Sequence, residues 1–121
     1  MNTEDYRSLT NIENAILGKL LKDQFPGRDQ IVEQIKNAKV RTIDEYKDNY
    51  GSIEFLIPQD VPVSRVDRFV IEGMSKDKDD VPIEFILHIV NGRVKELEIV
   101  KADGSPIKMF PDTVDIEVKS I

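Results

Sequence analysis

The chain contains one histidine, His88, and it falls among acids: Glu84 lies four positions before it, and Glu96 and Glu98 follow beyond an Asn91-Gly92 dipeptide. A carboxylate beside an imidazole raises its proton affinity for acid–base work, and one nitrogen with two oxygen donors can hold a divalent metal. That chemistry describes a small metal-binding protein or hydrolase centred on His88 and Glu96, the only candidates for catalysis. Both versions also need a pocket and further ligands, which a lone histidine does not announce. The simpler account is a partly exposed histidine balanced by acids on the outer face of a sheet. On that account no metal and no cofactor is expected.

Other chemistry is thinly represented. With no cysteine there are no disulfides, thiolate metal sites or thiol nucleophiles. Asp77-Lys78-Asp79-Asp80 resembles a calcium loop only superficially, because the sixth-position glycine and the closing glutamate are missing. It reads as a solvated hairpin turn, and Asp103-Gly104-Ser105 reads as another turn. Neither a phosphate-binding glycine loop nor a Gly-x-Ser-x-Gly elbow occurs.

What positions His88 and the acids is the stretch Val81 to Val100, which reads as a β-hairpin about which the other segments pack. A two-residue turn at Asn91-Gly92 would set Leu87 against Glu96 and Phe85 against Glu98, placing carboxylates in the apolar row. A three-residue loop, with Gly92 left-handed in a bulge, shifts the pairing by one. Ile89 then faces Arg93, Leu87 faces Lys95, Phe85 faces Leu97 and Ile83 faces Ile99. This bulged register is the expectation, since a one-residue slip sends every side chain to the opposite face. It leaves Glu84, Ile86, His88, Val94, Glu96 and Glu98 on a second, acidic and apolar face.

The earlier chain is helical. Thr10 and Glu13 have capping-box spacing, and Ile12, Ile16 and Leu20, widened by Ala15, Leu17 and Leu21, form an apolar stripe. This helix ends before Phe25-Pro26. Gly27 opens a second helix that buries Ile31, Ile35 and Ala38 and turns Glu33, Gln34 and Lys36 to water. Strands follow at Val40 to Ile43, Ile53 to Ile57 and Arg68 to Glu72, with Gly73 as a bend or bulge. A charged link with Tyr46 and Tyr50 joins the first two, and Pro58 and Pro62 bracket the loop after the second. Beyond the hairpin, Ile107 to Met109 form a brief strand, and Val114, Ile116 and Val118 alternate as a last one. Helices first and strands afterwards imply an α+β fold: an N-terminal helical hairpin packed on a mainly antiparallel, meander-like sheet. One domain spans 1–121, with residues 1–8 loose.

A length of 121 residues suits one core burying about two-thirds of the chain surface. The net charge of -6 argues against nonspecific nucleic-acid binding, which requires clustered Lys and Arg. It is compatible with a basic protein partner. No segment approaches the about 20 apolar residues of a membrane span, and the acidic start is unlike a signal peptide. The expectation is a cytoplasmic protein without nucleic-acid or membrane partners.

Three stretches, SLTNIENAILGKLL, FPGRDQIVEQI followed by AKV, and PIEFILHIVNGRVKELEIVKADGSPI, cover most of the chain in order. They resemble a small uncharacterised bacterial family, a domain of unknown function. The resemblance implies no activity and carries over no catalytic residue. The functional expectation is therefore a non-enzymatic binding or accessory protein, in its sharpest form an immunity-like protein that recognises a basic partner. The recognising surface would be Glu84, Ile86, His88, Val94, Glu96 and Glu98. Homodimerisation through a sheet edge or this face is compatible with either reading.

Overall fold

Thr10 caps the first helix, α1 (Asn11–Leu20), by accepting a 3.1 Å bond from the Glu13 amide, while the Glu13 carboxylate accepts one from the Thr10 amide at 2.9 Å. The capping box is complete, and two otherwise open helix-end donors are satisfied. The computed structural model describes residues 6–45, 51–58 and 68–119, with the backbone alone at 44, 45 and 68. Tyr46, Tyr50 and Pro62 lie outside those residues, as do positions 1–5. Within the segment expected to be loose, Arg7 is fastened. It grips Glu13 with two 2.8 Å bonds, reaches Thr42 Oγ1 at 3.0 Å, and exchanges backbone bonds with Val40.

The helix buries Ile16, Leu17, Leu20 and Leu21, whereas Ile12 lies exposed at the start of the stripe. It ends ahead of Phe25-Pro26, and Gly27, left-handed at φ 87°, begins α2 (Arg28–Lys36). Arg28 Nε turns back to the Leu21 carbonyl at 2.8 Å, giving a partner to an acceptor left open at the end of α1. The tight link between the helices is thus closed by the residue that follows its glycine.

Six strands form one sheet: β1 (Lys39–Glu45), β2 (Gly51–Leu56), β3 (Arg68–Lys76), β4 (Pro82–Val90), β5 (Arg93–Lys101) and β6 (Glu117–Val118). Their order is β1-β2-β5-β4-β3-β6, and every neighbouring pair is antiparallel. The fold is α+β, with an N-terminal helical hairpin on an antiparallel sheet whose β3-β4-β5 part is a meander. Both helices pack on the same sheet face, where Val40, Ile53, Phe55, Ile71, Ile83, Phe85, Leu87, Ile89, Leu97 and Ile99 are all buried. Burying each of these large apolar side chains contributes about 1.5–3 kcal/mol before entropy is counted.

The central hairpin resolves its register conflict differently from the expectation. Asn91 and Gly92 both have positive φ, 52° and 75°, and form a two-residue turn with Val90 opposite Arg93. One pair further on, after Ile89–Val94, Lys95 is an extra residue in β5, and the pairing resumes with His88–Glu96, Leu87–Leu97 and Phe85–Ile99. The bulge is therefore in the strand and not in the loop. It has the effect the apolar row demands, since leucine now meets leucine. Val94 precedes the bulge, so its side chain points inward and is buried; its assignment to the outer face is corrected.

Three other expectations change. Gly73 pairs regularly with Phe85, without a bulge, and is required because α1 and the Ile116 segment come close to it. Ile107 to Met109 are not a strand, because the Lys108 and Met109 amides donate to the Asp77 carboxylate. The last alternating segment yields a two-residue β6 on the sheet edge, preceded by a 3-10 turn, Thr113–Asp115, that Asp112 caps; Val114 is exposed there while Ile116 is buried.

Candidate functional site on the outer sheet face

Both helices and the 102–116 segment pack against the inner face, so no described element lies over the other side of the sheet. The strand period of two places Glu84, Ile86 and His88 of β4 there, beside Glu96, Glu98 and Val100 of β5 and Val70 of β3. Of the predicted surface, Glu84, Ile86, His88, Glu96 and Glu98 share this face, all half-buried, and Val94 alone does not.

The Lys95 bulge brings the titratable groups together. Had the two-residue turn continued without it, His88 would face Lys95 and Glu96 would face Leu87. Instead Glu96 is directly opposite His88, and Glu98, on the diagonal, has its Oε1 at 2.9 Å from His88 Nε2. One donor atom from each of the three residues lies within 4.8 Å of the others. The side chains are about one-third exposed, 33% for His88 and 36% for Glu98, so the group is open to solvent on one side.

Charge on this face is unevenly balanced. Glu54 of β2 stands directly across from Glu96, a like-charge pairing that costs stability. Burial alone would raise the Glu54 carboxyl, but Arg41 at 2.8 Å and Lys95 at 3.3 Å outweigh it and hold it below its ordinary value. Among the described residues, Glu84 and Glu96 have no cationic side chain of their own. The cations Arg41 and Lys95 are both engaged by Glu54.

Two buried polar centres escaped the sequence reading. Gln34, expected to face water, is fully buried, and its carboxamide donates to the Gly92 carbonyl at 2.9 Å and accepts from the Val94 amide at 2.8 Å. Lys101 is buried with Asp77, its Nζ bonding Asp77 at 2.9 Å, Asp79 at 2.7 Å and the Pro106 carbonyl at 3.4 Å. The supposedly solvated turn is therefore anchored beneath β5. Burial by itself would push the Asp77 carboxyl up; the amides of Lys108, Lys78 and Met109 together with the Lys101 ammonium reverse this and lower it well below the usual carboxylate range. Asp103-Gly104-Ser105 is the expected turn, with Asp103 accepting from the Ser105 amide and hydroxyl at 2.9 and 2.6 Å. The only signal for the two centres was a glutamine and a lysine at positions where the period calls for an inward residue.

A groove of about 640 Å³ lies on the other side of the molecule, between α1 and α2. Its floor is Leu17, Leu21, Val32 and Ile35, and its rim includes Arg28, Lys36 and Lys39. Those cations are engaged by Leu21 and Asp29, by Glu33, and by Ser8, respectively. No described helix is long and apolar enough to cross a membrane.

Comparison with curated proteins and with solved structures returns no match to either. The model of one family matches residues 6–111, a span that takes in the capping box of α1, the Gly27-Arg28 link, Gln34 and the whole central hairpin. The chain therefore belongs to the family described as a domain of unknown function, DUF6984.

Proposed function

We propose that the chain is a non-enzymatic binding protein that recognises a basic protein partner through the outer face of β4 and β5, in the manner of an immunity-like protein. The observation that supports this most directly is the combination of Glu84 and Glu96, without cationic partners among the described residues, with half-exposed Ile86 and Val100 and the exposed Val70 on a face that no described element covers. Carboxylates steer a basic partner and set its orientation, and the apolar atoms between them supply contact area that excludes water. Val94 is not part of this surface; Val70 and Val100 take its place.

Affinity capture with the purified chain, compared with a Glu96→Lys, Glu98→Lys double variant, tests the reading. The wild type should retain a partner of basic isoelectric point, with association slowing as salt rises. The double variant should lose it while melting cooperatively. Retention of the same partner by both proteins would remove this face from the interaction.

A further inference from the structure

We propose that His88, Glu96 and Glu98 bind one divalent transition-metal ion on the outer sheet face, with zinc the best match. The arrangement has the parts such a site requires. Glu96 and Glu98 are two residues apart on β5 and so project to the same side, and His88 reaches them from β4. The Lys95 bulge places a carboxylate opposite the imidazole where the unbulged ladder would set a lysine.

The distances fit. Donors bonded to zinc at 2.0–2.2 Å in a tetrahedron lie about 3.3–3.6 Å from one another, so the hydrogen-bonded His88–Glu98 pair has only to open by a few tenths of an ångström. The His88 Nε2 to Glu98 Oε1 separation is 2.9 Å, and the three donor atoms span no more than 4.8 Å. Glu96, directly opposite His88 in the ladder, supplies the third donor within that span. Imidazole with two carboxylates suits zinc, nickel or cobalt, whereas calcium and magnesium favour all-oxygen ligands. Three protein donors on a half-exposed face leave the remaining coordination position to water or to a group from outside.

The surroundings bear on affinity. Glu84, on the same face four residues before His88 in β4, adds negative charge without belonging to the triad's donor set. Lys95 is drawn aside to Glu54 at 3.3 Å, which keeps its ammonium occupied. The inference is independent of the proposed partner: the metal is held by this chain's own side chains, and its test needs no second protein.

The experiment is calorimetric titration of the chelator-treated, untagged full chain with zinc, with calcium as the hard-ion comparison. NMR of the imidazole accompanies it, and is unambiguous because His88 is the only histidine. One equivalent of zinc should bind saturably and shift the His88 ring resonances, with calcium weaker by about tenfold or more. His88→Asn and Glu98→Gln should each weaken zinc by about tenfold or more, and Glu84→Gln by less than about threefold. Absence of saturable binding with unmoved His88 resonances overturns the site. So does zinc affinity unchanged in His88→Asn, or a loss in Glu84→Gln equal to that in Glu98→Gln, which would indicate diffuse acidic attraction. The wild-type NMR arm decides the question even if a variant fails to fold.

Discussion

Gln34 in α2 and Val94 in β5 are joined by a 2.8 Å bond from the Val94 amide to the glutamine Oε1, while the other end of the same carboxamide donates to Gly92. The two peptide groups lie just past the tight turn, on the side that faces the helices. Burial makes an unmet donor or acceptor there costly. One side chain satisfies both and ties the hairpin tip to α2, which keeps the bulge, and with it the His88–Glu96 pairing, in one register.

Replacing this glutamine by a shape-matched apolar residue should therefore be severe. Gln34→Leu leaves the Gly92 carbonyl and the Val94 amide buried without partners, at an expected loss of about 2–4 kcal/mol. Urea unfolding measures it, and hydrogen exchange at the Val94 amide should accelerate. A urea midpoint equal to that of the wild type would show that water serves these groups equally well.

Gly73 and Gly18 should respond to alanine with opposite signs. A Cβ at Gly73 would lie 2.8 Å from Leu20 Cδ2 and 2.9 Å from Ile116 Cγ2, both on buried side chains that have little room to retreat. Gly73→Ala is expected to cost about 1–3 kcal/mol. At Gly18, exposed on α1, nothing lies within 4 Å, so Gly18→Ala should stabilise by up to about 1 kcal/mol through helix propensity. Thermal melts of the two variants side by side provide the comparison.

The buried Asp77 should make stability depend on pH in a defined window. Its folded carboxyl is lowered from the ordinary 3.8, so its contribution is fully present above that value and lost as pH falls through the folded value. Asp77→Asn removes the contribution. The stability gap between wild type and variant should then be constant from about pH 7 to 5 and shrink only in stronger acid. Denaturation curves across that range read it, and a gap that closes already near pH 5 would contradict the buried ion pair with Lys101.

Local signals in the chain were reliable where a residue acts on its immediate neighbours. Thr10 and Glu13 announce their own capping box, and Phe25-Pro26-Gly27 announces the end of one helix and the start of the next. The period of two between Ile83 and Ile89 identifies the buried row of β4. The α+β class and the antiparallel sheet follow from those signals, because apolar faces of known period must cover one another. The association of His88 with Glu96 and Glu98 was legible too, since the bulged pairing expected at Gly92 and the one found at Lys95 both put them on the same side.

Tertiary structure decided what depends on groups far apart in the chain. The bulge falls at Lys95 and not at Gly92, where Gln34 of α2 bonds the Val94 amide, and that register moved Val94 from the surface into the core. Lys101 and Asp77 look like ordinary surface charges until β5, the β3–β4 turn and the segment after Pro106 enclose them and supply amide donors from Lys108 and Met109. Composition and spacing report how each residue treats water on average. Which polar groups are withdrawn from it is decided only when distant segments meet, because desolvation is tolerated only where their hydrogen bonds replace those of the solvent.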